Sequence, residues 1–155
     1  MFYAKRIIED LEELKTMVGQ EIGVSDWIKV TQERVNTFAE ATGDHQWIHV
    51  DPERAKKESP YGGPIAHGYL TMSLAPYFLQ QIMEIKKKRM GVNYGLNKVR
   101  FPAPVPVGGK LRMKAEVAEI EEIKGGIQIV IKMTFEVEGQ EKPCCIAEAI
   151  YRYYS

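Results

Sequence analysis

The sequence predicts an α+β fold in which one long apolar helix is wrapped by a curved antiparallel β-sheet. The first half of the chain carries apolar residues at helical spacing, whereas the second half carries long alternating patterns that are typical of strands. Between them, the segment from residue 67 to residue 85 is apolar on nearly every side, as expected of a helix that is buried all round.

The composition is that of one globular domain, which we expect to span residues 1–155. Hydrophobic residues make up 45% of the sequence and charged residues 27%. The 21 lysines and arginines balance the 21 aspartates and glutamates, so no global charge attracts the protein to nucleic acid or to an anionic membrane. No apolar run is long enough to span a bilayer, and we expect neither nucleic acid nor a membrane as a partner.

The cysteines and the first residues predict a reducing, cytoplasmic location. Cys144 and Cys145 are adjacent, and neighbouring strand residues point to opposite faces, which disfavours a disulfide between them. Residues 1–15 mix charged and apolar side chains and lack the continuous apolar core of a secretory signal.

Local patterns assign the elements that precede the central loop. A first helix, which Gly19 ends, is predicted from apolar residues at three- and four-residue steps: Ile7, Ile8, Leu11, Leu14 and Val18. Residues 25–30 (SDWIKV) predict a strand because they are rich in β-forming residues. Thr31 is the predicted N-cap of a second helix, and Gly43 ends that helix.

Two further helices are expected before the sheet. Asp51 and Pro52 predict a helix start, since aspartate is a common N-cap and proline fits the first helical position. We therefore assign Asp51 to capping rather than to catalysis. The buried helix follows from His67, and Pro76 is expected to kink it or to remove one backbone hydrogen bond. Residues 86–89 (KKKR) would lie at its negative end, either as a solvated helix end or as a phosphate-binding cluster.

The second half predicts long strands separated by turns rich in glycine and proline. The alternation is strongest in residues 127–137, where every second residue is large and apolar. The segment PAPVPVGG cannot lie in the centre of a sheet and therefore separates the first two strands. The predicted strands cover residues 92–101, 110–117, 127–137 and 143–154.

Residues 41–68 concentrate the reactive side chains, including all three histidines. Asp44 and His49 lie five residues apart after Gly43, so both side chains could face one cavity and polarise one water. Gly68 would lie at the N-terminus of the buried helix, where free N–H groups stabilise an oxyanion and glycine lets a carbonyl approach closely. The pattern predicts an active site with Asp44 and His49 as the acid/base pair. The alternative is an ordinary loop with capping residues.

These residues also carry a resemblance to a known family. ATGDHQWIHVDPERA, followed by GGPIAHG and an apolar helix, resembles the motif of the MaoC-like dehydratases, also called R-specific enoyl-CoA hydratases. NYGLNKVRFPAPVPVG and the end of the chain further resemble the subgroup that includes the nodulation protein NodN. The resemblance implies a single hot-dog fold, in which the buried helix is the sausage and the sheet is the bun. It also implies a homodimer whose sheets join edge to edge, with a site near the interface.

The resemblance further implies a hydro-lyase of fatty acid metabolism. Asp44 and His49 would activate water for addition to a trans-2-enoyl-CoA, giving an (R)-3-hydroxyacyl-CoA, and the enzyme would also run in reverse as a dehydratase. The Gly68 N–H would hold the thioester oxygen, with Gln46 and His67 beside it in the substrate-binding region. The acyl group would be carried by CoA or by acyl carrier protein, and neither a metal nor another cofactor would be required.

The chain departs from the family pattern at three positions. Gln46 stands where the family often has asparagine, although its amide can still donate a hydrogen bond. Trp47 stands where the family often has proline and is expected to shape the pocket or to pack locally. Pro76 stands at the position of a serine that contributes in some relatives. These departures bear on substrate range more than on reaction type.

The other two histidines are expected to have supporting roles. His67 precedes the oxyanion glycine and is expected to make structural hydrogen bonds, whereas His45 is expected to point away from Asp44. A zinc site built from the three histidines is disfavoured, because the spacing and partners typical of catalytic zinc are not visible in the sequence.

Two other functions stay open on the sequence alone. A hot-dog acyl-CoA thioesterase could direct the same activated water to the carbonyl carbon and release a free thiol. A non-catalytic binding module would hold an acyl thioester without turnover. Lys98 and Arg100 are candidates for contacting the phosphates of the carrier, although charged strand residues commonly face solvent.

Overall fold

The computed structural model describes residues 4–155, which form eight strands and six helices. The strands are β1 Arg6–Ile8, β2 Glu21–Val24, β3 Ile28–Lys29, β4 Met83–Ile85, β5 Met90–Arg100, β6 Lys110–Ile123, β7 Gly126–Val137 and β8 Cys145–Tyr154. The helices are α1 Leu11–Lys15, α2 Gln32–Thr42, α3 Trp47–Val50, α4 Pro52–Glu58, α5 Gly68–Ser73 and α6 Ala75–Ile82.

A six-stranded antiparallel sheet is built mainly from the second half of the chain. Its strands lie in the order β2-β6-β7-β8-β5, and β3 also pairs with β6. A separate small sheet joins β1 and β4 in parallel. Among the described residues, β5 pairs with β8 alone and therefore forms one edge of the large sheet. Helices followed by long antiparallel strands confirm the predicted α+β class.

The core lies where the sheet packs against α5 and α6. Alternate residues of β6 and β7 are buried, as their patterns predict: Leu111, Met113, Ala115, Val117, Ile127, Ile129, Ile131, Met133, Phe135 and Val137. Phe78 of α6 meets Phe135 of β7 edge to face, with ring centroids 6.2 Å apart, and both side chains are fully buried. This aromatic contact fastens α6 to the middle of the sheet.

The predicted boundaries of the helices around the central loop are confirmed. The Thr31 hydroxyl accepts the Arg34 N–H at 3.1 Å and caps α2. Gly43 ends that helix with φ of 80°, a left-handed conformation that glycine adopts without strain. The Asp51 carboxylate accepts the Arg54 N–H at 3.1 Å and caps α4, which makes Asp51 a capping residue as expected.

The buried helix is divided into α5 and α6 instead of running as one long helix. The division falls at Leu74, two residues before Pro76. Proline has no N–H for the helical hydrogen bond, and its ring crowds the preceding turn. The disturbance predicted for Pro76 is therefore confirmed as an interruption at one residue, Leu74, whose backbone remains in the right-handed helical region.

The predicted first helix was wrong at both ends, because α1 ends at Lys15 and a turn leads from there to Gly19. Ile7 and Ile8 belong to β1, and α1 starts only after Asp10, whose carboxylate accepts the Glu13 N–H at 2.9 Å. A capping residue adopts an extended backbone, so the helix cannot continue backward through Asp10. Val18 is 48% exposed and does not extend the buried stripe.

The predicted strand over residues 25–30 is also shorter, because Ser25 interrupts the ladder between β2 and β3. The Ser25 hydroxyl accepts the Met113 N–H at 2.9 Å, taking the place of a backbone carbonyl.

The prediction that residues 86–89 lie at a helix end was wrong as well. α6 ends at Ile82 and β4 follows, so these four residues form the connection between β4 and β5. We refer to residues 86–89 as the basic turn.

Cys144 and Cys145 are both buried free thiols, as the prediction of no disulfide between them requires. Burial raises the pKa of each thiol to about 12, so both stay protonated near neutral pH.

Within residues 4–155, none of the helices combines the length and the apolar character needed to cross a bilayer.

Replacing Phe135 by alanine is expected to lower the free energy of unfolding by about 3–5 kcal/mol, because it leaves a cavity against Phe78. Urea unfolding followed by circular dichroism measures the change. Lys132→Ala, at an exposed position of the same strand, is the control and should change the free energy by less than about 0.5 kcal/mol. A decrease below about 1 kcal/mol for Phe135→Ala would contradict the central position of this ring.

Candidate active site

Asp44 follows the C-terminal end of α2 and is the first residue of the candidate active site. Gly43 turns the chain out of the helix, and the Asp44 side chain then folds back over the following backbone. Its Oδ1 accepts the Gln46 N–H at 3.3 Å, just before α3 begins. Asp44 is exposed. The carboxylate is thus held near the backbone and remains open to solvent or substrate.

His49 lies on α3 and is 7% exposed. Its Nδ1 lies 2.7 Å from the carbonyl oxygen of Ile65. Because a carbonyl can only accept, Nδ1 must carry the ring proton and donate it. The lone pair of the neutral ring is therefore on Nε2. This tautomer presents a basic nitrogen and not an N–H to the site.

His67, the N-cap residue of α5, stacks against His49. The two ring centroids are 3.9 Å apart and the ring planes differ by 24°. Nε2 of His67 donates to the carbonyl oxygen of Asp44 at 3.0 Å. Nδ1 of the same ring is buried and has no hydrogen-bond partner among residues 4–155. The hydrogen-bonding role expected for His67 is confirmed, and it joins the backbone of Asp44 to the ring of His49.

Asp44, His49 and His67 each bring one donor atom to within 4.8 Å of the others. Carboxylate oxygen and imidazole nitrogen are common metal ligands, so the three residues could hold a metal ion. One nitrogen of each ring already donates to a carbonyl, which leaves one nitrogen per ring for any other partner.

Burial lowers the pKa of His49 below its ordinary value of 6.5, and the adjacent His67 ring lowers it further. The Ile65 carbonyl and the Asp44 carboxylate favour the charged ring but do not outweigh these effects. His49 is therefore neutral at pH 7. A neutral imidazole with a bare Nε2 can remove a proton from water, which is the chemistry expected of a general base.

Gly68 is the first residue of α5, and its N–H has no backbone acceptor among residues 4–155. The ring of Phe101 lies only 3.2 Å from the position that a Cβ on Gly68 would occupy. A Cβ at this position would push the Phe101 ring away by a few tenths of an ångström, so glycine allows the closest packing of this ring on α5. A cavity of about 290 Å³ adjoins both residues and is also lined by Thr71 and Cys144.

The remaining residues of the loop have local roles. The Gln46 carbonyl accepts the His49 N–H at 3.0 Å, while its exposed side chain makes no hydrogen bond to the described residues. Trp47 packs beneath the Arg54 guanidinium, 4.2 Å from its ring centroid, as expected of a residue that packs locally. His45 points to Glu40, with Nε2 3.5 Å from the carboxylate, and not toward Asp44.

A groove runs between the two buried helices and the edge strand β5. It consists of two cavities of about 490 and 360 Å³, which share Pro76, Asn93 and Tyr151 as lining residues. The groove begins beside Tyr69 in the first turn of α5 and ends beside Lys88 in the basic turn. Its length and mostly apolar lining suit an extended hydrocarbon chain.

Ile65 and Phe101 are the residues of the site that sequence reasoning missed. Ile65 acts through its carbonyl, which every residue type possesses, so its side chain carries no signal. Phe101 follows β5 directly, and its contact with Gly68 joins segments that are distant in sequence. Only the packing of the sheet against α5 brings them together.

Comparison with known proteins relates the chain to a group of dehydratases. The MaoC like domain matches residues 13–139. 3-Hydroxyacyl-thioester dehydratase Z of Mycobacterium tuberculosis is 50% identical over 96% of this chain and 98% of that protein. Nodulation protein N of Rhizobium leguminosarum bv. viciae is 42% identical over 90% of this chain and 88% of that protein. The solved (R)-hydratase from A. caviae, involved in PHA biosynthesis, is 25% identical with a TM-score of 0.71, covering 86% of this chain and 94% of its own. These likenesses confirm the expected hot-dog fold and the NodN-like subgroup.

The His49 ring is expected to titrate below 6.5, because its charged form is disfavoured by burial. A group of this kind stabilises the fold above the unfolded pKa and loses that contribution as the pH falls through the folded pKa. Nitrogen-15 NMR of labelled histidine, with His45→Gln for assignment, measures both the midpoint and the tautomer. A midpoint above 6.5 would contradict the dominant effect of burial on the His49 pKa. A proton on Nε2 in the neutral ring would contradict the assigned hydrogen bond from Nδ1 to Ile65.

Proposed function

Because this chain belongs to the MaoC-like dehydratase family and is therefore a hydro-lyase, we propose that it is an R-specific enoyl-CoA hydratase. It adds water to a trans-2-enoyl-CoA to give an (R)-3-hydroxyacyl-CoA, and the reverse reaction is dehydration. Two observations carry the proposal: the hydrogen bond to Ile65 leaves Nε2 of buried His49 bare, and an oxygen of the Asp44 carboxylate lies within 4.8 Å of an imidazole nitrogen of His49. The names of the dehydratase Z and (R)-hydratase relatives support the reaction class and the configuration.

In the proposed mechanism, one water lies between the Asp44 carboxylate and Nε2 of His49. The carboxylate orients the water by accepting a hydrogen bond from one O–H. The neutral imidazole removes the other proton as the oxygen bonds to C3 of the enoyl thioester. General acid–base groups in such positions typically contribute ~10²–10⁴-fold to the rate.

The electron pair of the double bond then moves toward the thioester oxygen. The Gly68 N–H, which lacks a backbone acceptor within residues 4–155, is the proposed donor to this developing enolate. One such donor typically contributes roughly 10²–10³-fold. The proton held on His49 passes to C2, so one water has been added across the double bond and the histidine is neutral again. Gln46 and His67 support the site through its backbone, and the chemistry requires no metal or redox cofactor.

The groove between the buried helices and β5 is the proposed site of the acyl chain. Its two cavities start one residue beyond Gly68 and continue for the length of α6. An acyl group whose thioester lies at Gly68 would therefore extend along Pro76 and Leu79 toward Met83.

We assign the enzyme to the cytoplasm, where the two free thiols Cys144 and Cys145 would stay reduced.

The proposed enzyme is a homodimer whose large sheets join through β5. An unpaired edge strand invites association, and a second copy can cover it by a two-fold symmetric antiparallel contact. This edge also exposes apolar side chains, which are between 40% and 55% accessible: Met90, Val92, Tyr94 and Leu96. Tyr69 and Tyr77, which are exposed on α5 and α6, would be covered by the same contact.

Leu96→Lys is expected to shift the protein toward monomer, because two-fold symmetry would bring two new charges into an apolar contact. Light scattering on a gel-filtration column should give twice the chain mass of 17.7 kDa for the wild type and a lower mass for the variant. Ile7→Lys is the matched control, since Ile7 is 47% exposed and Leu96 46%, and Ile7 lies on the other sheet. A monomeric wild type would refute the dimer.

The hydration test follows loss of the enoyl conjugation of crotonyl-CoA, with EDTA in the buffer and a thiol-trapping reagent in a parallel assay. Wild-type enzyme should remove the conjugation without releasing thiol. Asp44→Asn should lower kcat by ~10²–10⁴-fold, since it loses the carboxylate that orients the water. Chiral chromatography of the product should give the (R)-3-hydroxy isomer.

Asp51→Asn is the matched control for this experiment. Asp51 lies in the same loop but caps α4, and asparagine caps helices as well as aspartate does. Its turnover should stay close to that of the wild type. Near-normal turnover by Asp44→Asn would refute the catalytic assignment, and thiol release by the wild type would instead identify a thioesterase.

A further inference from the structure

The groove beside α5 and α6 is mostly apolar along its whole length. Its near cavity, of about 360 Å³, adjoins Tyr69 in the first turn of α5, and its far cavity, of about 490 Å³, adjoins Lys88. The apolar side chains that line it come from the helices and from the strands beside them, and they include Met72, Ala75, Leu79, Met83, Ile85 and Leu96. Such a lining binds hydrocarbon in preference to water.

Strand β8 contributes two stacked tyrosine rings to this lining. Tyr151 adjoins both cavities, and Tyr153 adjoins the far cavity. The ring centroids are 6.0 Å apart, the ring planes differ by 15°, and both side chains are buried. Burial raises the pKa of both phenols, so they are uncharged at neutral pH. A hydrocarbon chain can therefore pass along these rings from one cavity to the other without desolvating a charge.

The groove is as long as the two helices that flank it. Because the backbone of Leu74 stays in the right-handed helical region, α5 and α6 advance together without a gap. A helical rise of about 1.5 Å per residue gives roughly 22 Å between Gly68, the proposed thioester site, and Met83. An extended hydrocarbon with C–C bonds of about 1.5 Å advances roughly 1.3 Å per carbon. The groove therefore matches an acyl chain of about 16 carbons.

Charged side chains of both signs mark the far end of the groove. Lys5, Glu84 and Lys88 all line the far cavity, and the first two are exposed. The Lys88 ammonium lies 4.9 Å from the centroid of the Tyr153 ring. A hydrocarbon chain that reached these groups would displace their water, and taking a charge out of water costs free energy. The charged end therefore limits the length of chain that the groove can bury.

From this geometry we propose that the substrates of the enzyme are long-chain 2-enoyl thioesters, and that the length of α5 and α6 selects acyl groups of about 14–16 carbons. The inference rests on the proposed function, because it places the thioester at Gly68. A crotonyl group occupies only the beginning of the near cavity and leaves the far cavity to water. Each further methylene that the groove buries strengthens binding by roughly fourfold, until the chain reaches the charged end.

The first test compares crotonyl-CoA, trans-2-dodecenoyl-CoA and trans-2-hexadecenoyl-CoA, each below its micelle-forming concentration. For the wild type, kcat/KM should be at least about 100-fold higher with hexadecenoyl-CoA than with crotonyl-CoA, a rise that is limited by diffusion. The dodecenoyl substrate should give an intermediate or equal value. A kcat/KM for hexadecenoyl-CoA that is no higher than for crotonyl-CoA would overturn the proposal.

The second test obstructs the groove at two distances from Gly68. Ser73 lines only the near cavity and Gln80 only the far cavity, and both side chains are exposed. The helical rise places them roughly 8 and 18 Å beyond Gly68, which corresponds to about 6 and 14 carbons. Ser73→Trp should lower kcat/KM for both long substrates at least tenfold, whereas Gln80→Trp should do so for hexadecenoyl-CoA alone. Equal losses for the two long substrates in Gln80→Trp, or no loss in either variant, would overturn the proposal.

Tyr77→Trp is the matched control for these variants. Tyr77 is an exposed residue of α6 that lines neither cavity, so this variant should keep the wild-type preference for chain length. Retained turnover of crotonyl-CoA shows that each variant is folded and that its catalytic groups are intact. Ser73→Leu and Gln80→Phe place smaller obstructions at the same positions. They should displace the limit in the same direction, which keeps the test decisive if a tryptophan disturbs folding.

Calorimetric titration with butyryl-CoA and hexadecanoyl-CoA separates failure of this inference from failure of the proposed function. If the wild type hydrates no enoyl thioester, the proposed activity is wrong. Tighter binding of hexadecanoyl-CoA than of butyryl-CoA, reduced at least tenfold by Gln80→Trp, would still support a long-chain groove. Equal affinity of the wild type for the two saturated thioesters would overturn the long-chain proposal, whether or not hydration is observed.

Discussion

The burial of two stacked imidazole rings is the constraint on which the rest of the site depends. A ring N–H that is removed from water must donate to some acceptor, or the fold loses the free energy of its hydration. In this protein the acceptors are two backbone carbonyls, those of Ile65 for His49 and of Asp44 for His67. Backbone geometry therefore decides that the lone pair of His49 lies on Nε2.

The same geometry depends on how the segment before α5 is attached to the core. The Ile65 N–H donates to the Ile48 carbonyl at 3.0 Å, and the Ala66 N–H donates to the Val105 carbonyl at 2.8 Å. These bonds tie residues 65–66 to α3 on one side and to the loop after β5 on the other. A displacement of either neighbour would therefore move the Ile65 carbonyl that orients the His49 ring.

Features that depend on near neighbours were predictable from the sequence, whereas features that depend on distant segments were not. The caps at Thr31 and Asp51 act over three residues, and the alternation of β7 is local by definition. The hydrogen bonds of the two histidines join residues 16 and 23 positions apart, and no local pattern specifies such pairs. The basic turn was misplaced for the same reason, since β4 exists only by pairing with β1.

The length of β5 links the edge of the sheet to the chemistry of the site. One end of this strand leads to Phe101, which covers Gly68, and the other end begins at the basic turn. A single extended strand keeps these two ends apart, and no side-chain motion can bring them together. A two-fold axis near the middle of β5 does so without any change in the chain, because it exchanges the ends of the two strands. In the proposed dimer, the exposed edge of β5 and the position of the oxyanion donor beside the end of that strand therefore have one common explanation.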